Sequence, residues 1–252
     1  MSGHSKWANI KHKKAKADAE KGRIFTKLAK EIIIAAKQGG PDPDANFKLR
    51  MAIQKARSEN MPADSIQRAI KKATGEGGSA DYEEIVYEGY GPGGVAILLE
   101  ISTDNRNRTA AEIRHTFSRR GGNLGETGCV AWMFDQKGRI TVDLEKAGID
   151  EDSLMLKALE AGAEDMQTDD GVATILCSPS ELEEVQSALA AGGVVVESAE
   201  VARVPRTTVE VDAKNAEKLL QLIEDLEENE DVSSVYANFE IPDDVMERIA
   251  SQ

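Results

Sequence analysis

The sequence has 252 residues, of which 40% are hydrophobic, and its 31 Lys/Arg and 45 Asp/Glu give a formal net charge of −14. This length suits one large domain or two to three ordinary ones, and the apolar fraction is sufficient for folded cores. Glycine (21) outnumbers proline (7) without any period, which excludes collagen-like and proline-rich disordered proteins. Apolar runs are too short to span a membrane, and we find neither a secretory signal nor a myristoylation glycine, so we expect a cytoplasmic protein.

The charge is distributed unevenly along the chain. Residues 1–75 hold 17 Lys/Arg and 7 Asp/Glu, a net charge of +10, whereas residues 76–252 hold 14 and 38, a net charge of −24. A basic segment before an acidic remainder predicts a polyanion-binding region on an acidic body. The alternative is that the basic residues are solvated helix faces. We favour binding, because the excess is concentrated before the first apolar period begins.

Three amphipathic helices are predicted in the basic region. Apolar residues recur at helical spacing from Phe25 to Ala36 and from Leu49 to Ala56, and a third helix opens near Pro62 and ends at Gly75. Short loops separate these segments. We therefore predict an N-terminal three-helix domain over residues 1–78, including a basic N-terminal tail.

After a linker the apolar period changes to that of strands alternating with helices. Strands are predicted at 82–90, 95–102, 128–134, 139–145, 171–178, 194–204, 206–212 and 232–242, with a helix around Ala110, Ile113 and Phe117 and others at 152–162, 180–193 and 213–231. We predict an α+β fold in which two α/β domains have mainly antiparallel, ferredoxin-like sheets. The first group of strands lacks partners that the last group can supply. The expected domains are therefore 79–134 plus 206–252, with an acidic α/β domain inserted at 135–205.

Motifs for catalysis or metal binding are weak. The glycines of "GYGPGG" precede a strand, whereas a dinucleotide site needs them before a helix, so we interpret them as a turn. The three histidines and two cysteines have no metal-ligand spacing, and Cys129 and Cys177 fit reduced core residues better than a disulfide. We expect no enzyme activity, no cofactor, no metal and no small-molecule substrate.

The basic tail is the leading candidate site for nucleic acid. Its lysines suit phosphates, Trp7 and His12 suit stacking on a base, and Asn9 suits a base edge. Aromatic residues are otherwise scarce in this region, so phosphates and shape should dominate recognition, and an aromatic single-strand platform is disfavoured. The predicted nucleic-acid-binding residues are Lys6, Trp7, Asn9, Lys11, His12, Lys13, Lys14, Lys16, Lys21, Arg23, Arg68, Lys71 and Lys72.

A second basic group lies in the acidic part of the chain. Arg106, Arg108 and Arg114 are a second candidate site, with Arg119 and Arg120 close behind in the sequence. Near a helix start, arginines and asparagines suit phosphate contacts. Pairing with the surrounding carboxylates explains the same residues equally well, and both interpretations stay open.

Four long stretches resemble the YebC/PmpR family, which also includes mitochondrial translational activators. The resemblance covers essentially the whole chain and rests on GHSKWANIKHKKAKADAEKGRIFTKLAKEI, NFKLRMAIQKARSENMPADSIQRAIKKATG, YEGYGPGGVAILLEISTDNRNRTAAEIRHTF and GGNLGETGCVAWMF. It implies a cytoplasmic, non-enzymatic regulator with a helical domain and two α/β domains, one inserted in the other. It also implies either a DNA-binding transcriptional regulator or a ribosome-associated factor for proline-rich stretches.

These observations together predict a nucleic-acid-binding regulator of gene expression. Dense phosphates are common to duplex DNA and structured ribosomal RNA, so the residues do not separate a transcriptional regulator from a translation factor. We place transcriptional regulation first. An adaptor that binds a protein through the acidic body is a third hypothesis.

Overall fold

This computed structural model describes residues 18–75, 81–242, 245, 246 and 249. The described chain forms two compact units: residues 135–204 make one, and the residues on either side of this segment make the other. The predicted α+β class, with N-terminal helices followed by antiparallel sheets, is confirmed. The three domain boundaries proposed above stay a prediction.

Regular elements cover most of the described chain. In chain order they are α1 (Asp18–Gly39), α2 (Phe47–Ser58), α3 (Ala63–Ala73), β1 (Glu83–Tyr90), β2 (Ala96–Thr103), α4 (Arg106–Arg119), β3 (Asn123–Leu124), β4 (Phe134–Asp143), α5 (Leu144–Ala147), α6 (Glu151–Glu160), β5 (Asp165–Asp169), β6 (Val172–Cys177), α7 (Leu182–Ala191), β7 (Ser198–Pro205), β8 (Val209–Glu210), α8 (Ala213–Glu228), β9 (Val232–Ala237) and β10 (Phe239–Glu240).

Helices α1 to α3 share one aliphatic core. Ile32, Leu49 and Ala56 are fully buried in it, and they belong to the apolar stripes that the sequence predicts. The buried side chain of Asn46 joins α1 to α2: its Nδ2 donates to the carbonyls of Ala35 and Gly40, both at 2.8 Å, and its Oδ1 accepts from the Leu49 amide. This N-cap fixes where α2 begins.

The larger unit contains a four-stranded sheet in the order β3-β1-β2-β9. β9 comes from the C-terminal part of the chain and pairs antiparallel with β2, with Leu99 opposite Val235. Alternate β2 residues such as Ile97 and Leu99 face α4 and α8 in the main core. Leu98, on the other face, is also buried, because α1 packs against β2 and β9.

Residues 135–204 form a second four-stranded sheet in the order β5-β6-β4-β7. The chain passes through β4, α6, β5, β6, α7 and β7, which is the ferredoxin-like arrangement. Pairing is antiparallel between β4 and β6 and between β5 and β6. Its apolar centre includes Ile140, Leu154, Ile175 and Val185.

Two strand predictions need correction. The strand predicted at 128–134 is wrong: residues 131–133 form a 3-10 turn, and β4 begins at Phe134. The amides of this segment donate to the carboxylate of Glu88 instead of to a neighbouring strand. Strand β5 was missed because it is an edge strand with one buried apolar residue, Met166.

The glycine-rich turn behaves as the sequence indicates. Residues Pro92–Gly94 make a short 3-10 turn, and Gly93 and Gly94 have positive φ angles of 78° and 75°. Strand β2 follows directly at Ala96. The interpretation as a connection between strands is confirmed.

A buried carboxylate joins the helical region to the sheet in this unit. Asp231, whose side chain is 5% exposed, accepts from Lys30 Nζ at 2.6 Å and from Arg108 Nη2 at 2.7 Å. The hydroxyls of Thr103 and Thr109 also donate to it, at 3.2 and 2.7 Å. Burial by itself raises the pKa of Asp231, but these donors outweigh burial and lower the pKa to about 2.

Replacing Asp231 by Asn removes the charge that compensates the buried Lys30. We expect Asp231→Asn to lower the free energy of unfolding at pH 7 by about 3 kcal/mol. Because the folded-state pKa is depressed, this stabilisation is complete above the ordinary aspartate pKa and is lost as the pH falls towards 2. Urea unfolding of wild type and variant at several pH values between 7 and 2 measures both effects.

The control is Glu228→Gln, which breaks the exposed ion pair between Glu228 and Arg23 at the same junction. We expect a change of about 0.5 kcal/mol or less. A wild-type advantage over Asp231→Asn that does not decrease between pH 4 and pH 2 contradicts the role given to Asp231.

Candidate nucleic-acid interface

Part of the predicted binding segment lies outside the described residues. This applies to Lys6, Trp7, Asn9, Lys11, His12, Lys13, Lys14 and Lys16. The described part of the candidate interface is therefore made by the later basic residues of the prediction, which are Lys21, Arg23, Arg68, Lys71 and Lys72.

Helix α3 presents a basic face. Arg68, Lys71 and Lys72 are spaced at i, i+3 and i+4, so their side chains project from neighbouring positions on the helix. Arg68 is exposed and donates to the Ser65 hydroxyl at 3.0 Å and to the Asp64 carbonyl at 3.3 Å. Lys71 is exposed and Lys72 half-buried, and neither pairs with a carboxylate of the described chain. Their charges therefore face solvent at the C-terminal end of the helix.

The cations of helix α1 have a different role. Arg23 pairs with Glu228 at 3.5 Å, Lys27 donates to the carbonyl of Glu227, and Lys30 binds Asp231. Burial lowers the pKa of Lys27 to about 8, since the neutral amine is favoured away from water. These side chains hold α1 against the C-terminal end of α8 and the segment that leads to β9. Of these three cations, the sequence analysis predicted Arg23 as a nucleic-acid contact, and its charge is shared with Glu228.

The second basic group divides into paired and exposed arginines. Arg108 binds Asp104 and Asp231, and Arg119 and Arg120 both bind Asp225 at 2.6 Å. These ion pairs favour the structural interpretation for those three. Arg106 and Arg114 are exposed on α4, and the Tyr87 hydroxyl donates to the carbonyl of Arg106 at 3.2 Å. Phosphate contacts by the exposed two stay a prediction.

Sequence reasoning missed a clamp formed by Glu88. This residue is 3% exposed, and its Oε1 accepts from the Gly128 amide at 2.6 Å while its Oε2 accepts from the amides of Val130 and Ala131 at 2.7 Å. Burial by itself raises the pKa of Glu88, but the three N–H donors outweigh it and hold the pKa below its usual value. In a strand that alternates polar and apolar residues, nothing local distinguishes this glutamate from an exposed one.

Two exposed aromatic side chains donate to the turn held by Glu88: Trp132, which follows that turn, and Tyr90, the last residue of β1. Trp132 is 64% exposed, and its indole Nε1 donates to the carbonyl of Cys129 at 3.1 Å. Tyr90 is 36% exposed, and its hydroxyl donates to the same carbonyl at 3.2 Å. The two donors therefore share one acceptor, the carbonyl of Cys129. The sequence shows Trp132 only within an apolar run, which indicates burial rather than exposure.

The cysteines, the candidate metal ligands and the helix lengths test three further expectations. Cys129 and Cys177 are both free thiols, so the disulfide alternative is excluded, and burial raises the pKa of each. Within the described ranges, no group of three or more His, Cys, Asp or Glu is arranged to hold a metal ion. None of the described helices is both long and apolar enough to cross a bilayer.

Comparison with known proteins gives the family. Residues 5–76 match the family model described as TACO1/YebC protein N-terminal domain, and residues 82–239 match the one described as TACO1/YebC second and third domain. The chain therefore belongs to the TACO1/YebC family, which confirms the resemblance found in the sequence. Members of this family are regulators, and the chain is not an enzyme.

Individual relatives are similar over the full length. A protein of Halothermothrix orenii is 57% identical over all of both chains, and one of Natranaerobius thermophilus is 58% identical over 98% of this chain and 99% of its own. Each is named "Probable transcriptional regulatory protein". The crystal structure of a conserved hypothetical protein from Aquifex aeolicus is 49% identical, with a TM-score of 0.87, and covers 94% of this chain and 97% of that one.

The Glu88 clamp generates a prediction about local stability. In Glu88→Gln, an amide NH₂ replaces one acceptor oxygen and faces a backbone N–H, so at least one of the three amides loses its partner. We expect faster hydrogen exchange at Gly128, Val130 or Ala131 and a loss of about 2 kcal/mol in the free energy of unfolding. Amide exchange by mass spectrometry and urea unfolding check the two effects.

Glu126→Gln is the matched control, because Glu126 lies exposed in the same turn. It should leave exchange in this segment unchanged. Since the pKa of Glu88 is lowered, the wild-type advantage should persist at neutral pH and decline as acid protonates the carboxylate. Equal exchange rates in wild type and Glu88→Gln would show that the carboxylate does not hold the turn.

Proposed function

We propose that this protein is a DNA-binding transcriptional regulator whose helical region contacts the phosphate backbone. The observation that carries the proposal is the basic face of α3, where Lys71 and Lys72 are left without carboxylate partners in the described chain. By contrast, Arg23, Lys27 and Lys30 of α1 contact other parts of the same unit. The relatives named above as probable transcriptional regulatory proteins support the same role.

The acidic charge of the unit made by residues 135–204 supports the choice of α3 as the binding surface. Residues 135–204 contain 16 Asp/Glu and 5 Lys/Arg, a net charge of −11, and therefore repel a phosphate polymer. Residues 3–23 contain seven Lys/Arg against two Asp/Glu. We infer that the tail and α3 act together on the nucleic acid, and that the acidic unit remains available to a protein partner in the cytoplasm.

Helix α3 also offers a side chain for base recognition. Gln67 is exposed and lies next to Arg68, three and four positions from Asp64 and Lys71. Glutamine suits the paired donor and acceptor of an adenine edge, and arginine suits guanine or phosphate. The helix has 11 residues, and we infer that its exposed side offers Arg68 to phosphate and Gln67 to a base edge.

The second candidate function is binding of structured ribosomal RNA as a translation factor. The specific observation in its favour is the exposed Trp132 and Tyr90, since RNA loops present unpaired bases to aromatic rings. Co-sedimentation with ribosomal particles, measured beside a gel shift of promoter DNA against unrelated DNA at physiological salt, separates the two. Promoter preference without co-sedimentation supports transcription, and co-sedimentation with weak duplex affinity supports translation.

The face of α3 is tested by Lys71→Ala combined with Lys72→Ala. We expect weaker binding to duplex DNA and a slope of log K against log salt that decreases by about 0.9 per lost phosphate contact, roughly two in total. Thermal stability should be nearly unchanged, because neither lysine has an ion-pair partner in the described chain. The matched control is Lys48→Ala, whose ammonium binds Glu84 at 2.6 Å and which should leave the slope unaltered. A slope equal to that of wild type in the double variant contradicts the proposed surface.

The tail is tested separately by replacing Lys11, Lys13 and Lys14 with alanine. Three phosphate contacts correspond to a decrease of about three in the salt slope, with no change in melting temperature. Fluorescence anisotropy on one duplex at several salt concentrations gives the slope. If this variant retains the wild-type slope and the α3 variant does not, the tail is not part of the interface.

A further inference from the structure

Helix α6, in the acidic unit of residues 135–204, carries two exposed leucines on one face. Leu156 is 64% exposed and Leu159 is 57% exposed, and their i, i+3 spacing makes them neighbours on the helix surface. Among the described residues, they are the only two exposed large hydrophobic side chains that share one helix. Single exposed leucines are ordinary on a protein surface, whereas this pair forms an apolar contact surface that no part of the described chain covers.

The opposite face of α6 is fixed to its own unit. Leu154 and Ala158 are fully buried, so the positions that face the core are already occupied. In the last turn of the helix, Lys157 Nζ donates to the carbonyl of Gly192 at 2.8 Å. The orientation of α6 is therefore set by these contacts, and the two leucines face away from the core.

Carboxylates border the exposed leucines. Asp152 and Glu160 lie four residues before and four residues after Leu156, which makes both of them its neighbours on the helix surface. Both are exposed, and neither pairs with a lysine or arginine of the described chain. The surrounding unit does not neutralise them, because residues 135–204 hold 16 Asp/Glu and 5 Lys/Arg. Any partner that covers the leucines meets uncompensated negative charge at their edge.

This charge decides which occupant fits. A second copy of the same face would set the same carboxylates against each other, and two leucines supply far less than the roughly 800 Å² that each partner of a standard interface buries. A nucleic acid or an anionic lipid surface is repelled by the same charges. A basic segment is attracted, and a contact of this size suits a single helix whose apolar side chains meet the leucines.

We propose that the α6 ridge, defined as Asp152, Leu156, Leu159 and Glu160, is a docking site for a basic amphipathic helix of another protein. The leucines pack between apolar side chains of that helix, while its lysines or arginines pair with the two carboxylates. This deepens the part of the proposed function that leaves the acidic unit to a protein partner, and it rests on that part alone. It does not require α3 to bind DNA.

Fluorescence anisotropy with the full-length protein and three labelled peptides tests the chemistry of the partner. Each peptide has about 14 residues, so that it is longer than α6 when helical. The first peptide places leucines on one helical face and lysines elsewhere, the second has the same composition with the leucines spread over all faces, and the third replaces lysine by glutamate. We expect the first to bind roughly tenfold or more tightly than the second, and the third not to bind. Equal binding of the first two peptides contradicts an amphipathic partner.

The leucines are tested by Leu156→Gln combined with Leu159→Gln, since glutamine keeps good helix formers at both positions. We expect the affinity for the first peptide to fall roughly tenfold or more, because two apolar side chains no longer become buried on binding. The melting temperature should stay nearly unchanged, because both leucines are exposed. Trp132→Ala is the matched control: it removes a side chain that is also 64% exposed, in the other unit, and should not change the affinity. Equal affinity of wild type and the leucine variant overturns the proposal.

The carboxylates are tested by Asp152→Asn combined with Glu160→Gln. We expect roughly two- to fivefold weaker binding of the first peptide at low salt, and a smaller decrease of affinity as salt is added. The control is Glu181→Gln with Glu184→Gln, which removes two exposed carboxylates at the start of α7 and should have a smaller effect. If both variants weaken binding equally, the peptide responds to the net charge of the unit, and the α6 ridge is overturned as the site.

Failure of the DNA-binding proposal gives a different result. If the leucine variant weakens peptide binding while Lys71→Ala with Lys72→Ala leaves the salt slope for DNA unchanged, the α3 surface is wrong and the α6 ridge is supported. If that slope decreases as expected while wild type and the leucine variant bind the peptide equally, the ridge alone is overturned. Self-association of the wild-type protein that the leucine variant abolishes would show that a second copy occupies the ridge, which also overturns the proposal.

Discussion

The ion pair between Lys30 and Asp231 determines how the larger unit is assembled. Asp231 lies just before β9 and receives donors from α1, α4 and the end of β2, so one carboxylate joins β9 to elements that lie more than 100 residues earlier in the sequence. Burying this pair is costly, and removing either partner leaves a charge without compensation. The position of the N-terminal helices against the sheet therefore depends on electrostatics as well as on the apolar contacts of α1.

This use of charge has consequences for binding. The basic character of the first third of the chain is divided between cations that hold α1 in place, such as Lys27 and Lys30, and cations that face solvent on α3. A count of lysines and arginines treats these groups as equal, although only the second group has charge available for a phosphate. The strongly acidic residues 135–204 repel polyanions from their own unit.

Glu88 shows a second use of a buried carboxylate. Its partners are backbone amides of a turn, and the carbonyl of Cys129 in that turn accepts from both Trp132 and Tyr90 at the surface. Asp231 joins elements of the core, whereas Glu88 fixes a feature that faces solvent. In both cases hydrogen bonds to the charged form outweigh burial and keep the carboxylate ionised at neutral pH.

The sequence by itself determined the elements whose signal is local: the stripes of α1 to α3, the alternation of β1, the turn at Pro92–Gly94 and the α+β class. It failed at 128–134, where an apolar run resembles a strand but the amides bond to a glutamate 40 residues earlier. Tertiary structure alone decided which arginines are paired, since Asp225 and Asp231 lie more than 100 residues from Arg108 and Arg120. The physical reason is that periodicity records which face of an element is buried, whereas the partner of a charge depends on what the fold brings within about 3 Å.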